Sequence, residues 1–198
     1  PELQMRQFQC GWEQSGVYHK RLAKRGVKTL THASANAHYY RNHSPKLLPA
    51  DAANARLVNG SGDTLPGNML ESPIKALFEP DFGFELVQIN HYVLRSIEDF
   101  IIKAARGNAN HASLSANLDY WRLYDRNDRM DVSILRWADR VQAQVDDWLE
   151  DAELRQLHET SIAIRRKRFE TLMENDVFKK LHRSVRRHHR KHPGLLGP

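Results

Sequence analysis

One cysteine, Cys10, stands among 198 residues. That excludes an intrachain disulfide and any metal site built on cysteine thiolates, and it suits a reducing, cytoplasmic setting. No apolar run reaches the roughly 18 residues of a membrane span. The chain shows no charged-then-apolar opening of the signal-peptide kind. It opens on Pro1-Glu2-Leu3 without a Met, as expected of a trimmed chain or a fragment. No internal repeat is visible. Asp125, Asp128 and Asp131 flank Asn127 with a superficial calcium-loop spacing, but the required Gly and closing Glu are missing, which excludes calcium there. Zinc-finger, RNA-recognition and basic-zipper patterns are also missing, so nucleic acid is not the expected partner.

What the chain does have is positive charge, unevenly placed. Thirty Lys and Arg face 24 Asp and Glu, a net charge of +6. Much of the surplus lies after Lys179, in Lys180, Arg183, Arg186, Arg187, Arg190 and Lys191, interleaved with His182, His188, His189 and His192. Such a segment suits phosphate groups or an anionic membrane surface, or is a solvated extension.

The expected fold class is α+β, with short strands and long loops in the first half and helices in the second. Residues 1–95 read as the loop-rich segment, 96–178 as a helical segment packed on it, and 179–198 as a basic tail. Pro45, Pro49, Pro66, Pro73 and Pro80 break any long early helix. Arg56-Leu57-Val58-Asn59 reads as a strand closed by the Gly60-Ser61-Gly62-Asp63 turn. Glu85-Leu86-Val87-Gln88-Ile89 reads as another short strand. Ser96 is an N-cap for a helix carrying Ile97, Phe100, Ile101 and Ala104 on one face. Gly107 ends that helix in the left-handed conformation.

Further helices are expected within 114–124, after Asp131 or Ser133, over 152–173, and from Asp176 into the tail. Ile134, Trp137, Ala138, Val141, Val145, Trp148 and Leu149 form one stripe, whose two Trp read as core rather than interface. Leu154, Leu157, Ile164, Leu172 and Met173 mark the expected buried side of the helix over 152–173.

The order of polar motifs carries a resemblance. Asn90-His91-Tyr92, Arg95-Ser96, Phe100, Lys103, Arg106-Gly107 and Asn110-His111 resemble the C-terminal signature of bacterial family 2-like glycosyltransferases of the GT-A type. Val27-Lys28-Thr29-Leu30, Asn42 to Leu47 and Val58 to Gly62 resemble the segments before it. Tyr120-Trp121, Asn127 and Asp131 to Ile134 resemble those after it. The similarity covers about residues 27–175, in the family's order. It implies transfer of a sugar from a nucleotide-sugar donor to a glycan or other hydroxyl acceptor, with a divalent cation (Mn or Mg) at the diphosphate.

The candidate site follows from both lines of reasoning. His91 shares a face with Val87, Ile89 and Val93 if the strand extends that far. It is then either a core histidine or, as the resemblance implies, a metal ligand. Lys103 and Arg106 are the cations for a diphosphate, or a solvated helix face that satisfies the last carbonyls. Asn110, His111 and Tyr92 are candidates for sugar or acceptor contacts; Asn110 and His111 equally serve as caps. Asp81 and Glu85 are the carboxylates nearest His91 in sequence, and the candidates for a catalytic base.

The chain departs from the family at its front. It has no Asp-x-Asp after an apolar strand and no alternating parallel strands and helices before His91. It therefore reads as the C-terminal portion alone, inactive without a nucleotide-binding half. The alternative is a basic helical binding or scaffold module contacting nucleic acid, an acidic membrane or a protein partner.

Overall fold

The computed structural model describes residues 3–11, 24–72, 74–107, 117–125, 127 and 129–191. The chain is α+β and divides into two compact units, Gln14–His91 and the pair Pro1–Glu13 with Tyr92–Pro198. Elements in chain order are α1 (Gln4–Gln7), β1 (Cys10–Gly11), β2 (Lys24–Gly26), β3 (Tyr39–Tyr40), β4 (Pro45–Lys46), α2 (Pro49–Asn54), β5 (Leu57–Val58), β6 (Thr64–Leu65), a 3-10 turn (Gly67–Glu71) and β7 (Ala76–Phe78). There follow α3 (Ile97–Arg106), α4 (Leu118–Tyr124), β8 (Arg129–Met130), a second 3-10 turn (Ser133–Trp137), α5 (Ala138–Trp148), α6 (Ala152–Leu172) and α7 (Asp176–Lys191).

The unit Gln14–His91 is held by isolated antiparallel ladders rather than one sheet: β2 with β7, β3 with β4, and β5 with β6. Leu47, Ala52 and Leu70 form its small core. Asn59 organises the β5–β6 turn. Its side-chain oxygen accepts from the Ser61 and Asp63 N–H groups at 2.9 and 3.0 Å, and its amide donates to Asp63 and to the Asp81 carbonyl. This is the Asx-type bracket that the Asn-Gly-Ser-Gly-Asp sequence favours.

Glu85 to Ile89 does not form the expected strand. The N–H groups of Leu86 and Val87 both donate to the Gly60 carbonyl at 2.9 Å. Successive N–H groups of a strand point to opposite sides, so this double donation is a bend. Leu86, Val87 and Ile89 are all exposed. The shared-face argument for His91 falls with the strand.

The second unit is helical, apart from β1 pairing with β8. Ser96 caps α3 as expected, its hydroxyl accepting the Asp99 N–H at 3.1 Å. Phe100, Ile101 and Ala104 of α3 are buried with Trp121 of α4 and Val185 of α7. The Phe100 and Trp121 rings meet edge to face, with centroids 5.0 Å apart, a favoured aromatic geometry. Full burial of a side chain such as Ile101 is worth roughly 1.5–3 kcal/mol. Gly107 has φ +81° but ψ −178°, so the α3 exit is an extended mirror conformation open to glycine, not the left-handed helical one.

Three expectations need correction here. The segment after Lys179 is no tail up to Lys191: it is part of α7, whose Val185 is fully buried. Trp137 and Trp148 are exposed, not core. Leu154, Leu157 and Ile164 are exposed as well. Leu172 and Met173 of the same expected set do pack against the helical core, and α6 turns His158, Ile162 and Phe169 inward beside them.

Candidate functional site

The residues singled out from sequence fall into both units. Lys103 and Arg106 lie in the last turn of α3. Lys103 is engaged: its ammonium donates to the Val93 carbonyl at 3.1 Å and to the Tyr120 hydroxyl at 3.0 Å. It also lies 4.6 Å from the Tyr120 ring centroid, within cation–π range. This cation ties the chain before α3 to α4. Arg106 is exposed and forms no ion pair with another described residue. Of the two, Arg106 is the one whose side chain is exposed.

Tyr92 packs its ring against Phe8, centroids 6.3 Å apart. Its hydroxyl is buried with no hydrogen-bond partner among the described residues. That position suits a structural anchor better than a contact to a dissolved sugar. Asn110 and His111 lie outside the described residues.

In the other unit, His91 is exposed. Asp81 and Glu85 expose their carboxylates, while their backbones serve the turn: the Asp81 carbonyl accepts from Asn59, and the Glu85 N–H donates to the Ser61 hydroxyl at 3.4 Å. Among the described residues no group of three or more His, Cys, Asp and Glu side chains is placed to hold a metal ion. His91 would supply one imidazole, and the carboxylates a divalent cation needs are not gathered around it.

This unit also holds a cavity of about 280 Å³. Its walls come from residues 26–30, 56–60, 82–84 and 87–89, with Leu65, Ile74 and Leu77 behind. Lys28 and Arg56 bring positive charge to it, and Phe82 and Phe84 bring aromatic surface. Lys28 donates to the Asn42 carbonyl. The bend at 85–89 that replaces the expected strand is what closes one wall.

Sequence reading also missed a buried polar cluster in the helical unit. The Asp125 side chain is only 6% exposed. Its carboxylate accepts from the Trp121 indole at 2.8 Å and from the Asn127 amide at 2.9 Å. His188 Nε2 lies 3.9 Å from it and His189 Nδ1 3.7 Å. The i, i+4 spacing of Trp121 and Asp125 was the available signal. The histidines come from α7 and had no local signature.

Among the described residues no helix is long and apolar enough to cross a membrane. No family model, curated protein or solved structure matches this chain.

Proposed function

We propose that the chain is the C-terminal portion of a GT-A glycosyltransferase, moving a sugar from a nucleotide-sugar donor to a glycan or other hydroxyl acceptor. The observation that carries this reading is α3 and its exit. The helix is capped at Ser96 and ends at the Arg106-Gly107 turn, as the motif order requires, and it leaves Arg106 exposed. A guanidinium in that place binds a diphosphate through paired N–H donors. Lys103 contributes by fixing the entry to α3, with one of its three N–H donors left over.

Donor binding needs an Asp-x-Asp pair, which the sequence lacks, and parallel strands, of which the described residues show none. Those parts come from the same polypeptide or from a partner. The cavity beside Lys28 and Arg56 suits an acceptor carrying acidic or phosphate groups, since both cations lie at its wall.

The test is a thermal-shift titration with a nucleoside diphosphate and Mn²⁺, run on this chain joined to its nucleotide-binding half. A ligand that binds the folded state raises the melting temperature. The reading expects a rise that Arg106→Ala abolishes. No rise at saturating nucleotide counts against it.

A second reading is favoured by one observation. Residues 165–191 carry eleven Lys and Arg against three Asp and Glu, a net of +8, so the rest of the chain is −2. Arg165 pairs with Asp99 and Lys179 with Asp176. A peripheral contact with an anionic membrane would use the other cations. Binding to anionic vesicles that falls steeply with salt supports that contact.

A further inference from the structure

Helix α6 carries two apolar faces. One points inward: Phe169 and Leu172 pack against the helical core, His158 and Ile162 are half-buried, and Arg165 pairs with Asp99. The other lies roughly a quarter-turn round the helix and is unpartnered. It comprises Leu154 (47% exposed), Leu157 (58%) and Ile164 (62%), with Ser161 between them.

These four residues recur at spacings of three, four and three. That is the seam of a two-helix coiled coil. Three exposed large aliphatics in line on a 21-residue helix are not scattered surface residues, and such a stripe marks an interaction surface.

The charge along α6 says what covers it. The N-terminal end carries Asp151 and Glu153; the C-terminal end carries Arg165, Arg166, Lys167 and Arg168. We infer that α6 pairs with α6 of a second copy of this chain, antiparallel and about a two-fold axis near Thr160. In that arrangement Leu154 lies over Ile164 of the second copy, and Leu157 over its Ser161. Glu153, flanking the seam, meets Lys167 of the second copy. Parallel pairing would instead set acidic end on acidic end and basic end on basic end, which like-charge repulsion disfavours. The helix dipole accounts for acid at the first turn and base near the last, but not for an exposed aliphatic seam between them.

A two-fold pairing is self-complementary and closed, so the structure assigns a dimer and not a filament. The inference rests on α6 alone and does not depend on the transferase reading.

The test is sedimentation velocity with light scattering on the 198-residue chain, from low to high micromolar concentration. The expected mass rises from 23.0 kDa toward about twice that value. Leu157→Glu is expected to abolish the dimer while helical circular dichroism is unchanged, because the residue is exposed. Glu153→Lys and Lys167→Glu are each expected to weaken dimerisation about tenfold, and the double variant to restore it, since the pair is merely exchanged. A monomer at every concentration overturns the inference and leaves the stripe to a different partner. So does a dimer that survives Leu157→Glu, or a double variant no better than either single one.

Discussion

The Trp121 indole donates to the Asp125 carboxylate across 2.8 Å, one turn along α4 and beneath the His188-His189 pair of α7. The contact lets a buried indole sit in the core without an orphaned N–H, and it sets a negative charge where two imidazoles approach. Asp125→Ala leaves that N–H unpaired and is expected to cost about 1–3 kcal/mol. Asp125→Asn keeps an acceptor and should cost less. Urea unfolding of the two variants measures the difference; equal losses would mean that the indole bond contributes little.

Ser96 governs the start of α3. Replacing it with Ala removes the acceptor for the Asp99 N–H, at a cost of about 1 kcal/mol. Ser96→Asp should retain most of the stability, because it keeps a capping oxygen. Thermal melts of both variants decide whether the cap or the surrounding core sets the helix start.

Gly60 cannot carry a side chain without movement of the 83–87 loop. A Cβ there would lie 2.2 Å from the Gly83 carbonyl oxygen and 2.5 Å from that of Val87. Gly60→Ala is therefore expected to destabilise by about 1–3 kcal/mol and to open the cavity wall. At Gly26 a Cβ meets no described residue within 4 Å, so Gly26→Ala should stay within about 0.5 kcal/mol of the parent. Denaturant midpoints of the pair give the comparison.

Tyr124 adds a dependence on alkaline pH. Burial, and then the neighbouring Tyr120, raise its phenol above the ordinary value of 10.0. The folded state thus holds the proton more tightly than the unfolded one. The stabilisation is complete below the unfolded value and is lost as pH rises through the folded value. Stability should fall above about pH 10, and Tyr124→Phe should lessen that fall. Melting temperatures across pH 8–11 test the sign.

Where local signals and burial agreed, the sequence was legible. The Ser96 cap, the α3 face of Phe100, Ile101 and Ala104, and the Asn59–Asp63 turn all stand as read, because each depends on neighbours within a few residues. Glu85–Ile89 failed because β-propensity cannot see the Gly60 carbonyl, which draws two successive N–H groups into a bend. The buried side of α6 held for Leu172 and Met173 but not for Leu154, Leu157 and Ile164, which follow helical spacing without facing the core; spacing identifies a stripe but not what covers it. At the candidate site, Lys103 was found as a cation of interest, but its tie to the Val93 carbonyl and Tyr120 hydroxyl was invisible. That tie joins a carbonyl ten residues back to a hydroxyl seventeen residues ahead on α4.

The roles of Lys103 and Arg106 separate experimentally. Lys103→Met breaks two hydrogen bonds and is expected to lower stability by about 1–3 kcal/mol. Arg106→Ala touches no described partner and should leave the melting temperature within a degree or two.

The central claim is tested most directly by acceptor-dependent release of nucleoside diphosphate from a nucleotide-sugar by the chain joined to its nucleotide-binding half, compared with the Arg106→Ala variant of the same assembly. The account predicts turnover in the parent and a loss of tenfold or more in the variant at unchanged stability, the size expected when a charged contact to the leaving group goes. No turnover with any nucleotide-sugar, or turnover that Arg106→Ala leaves intact, would contradict it.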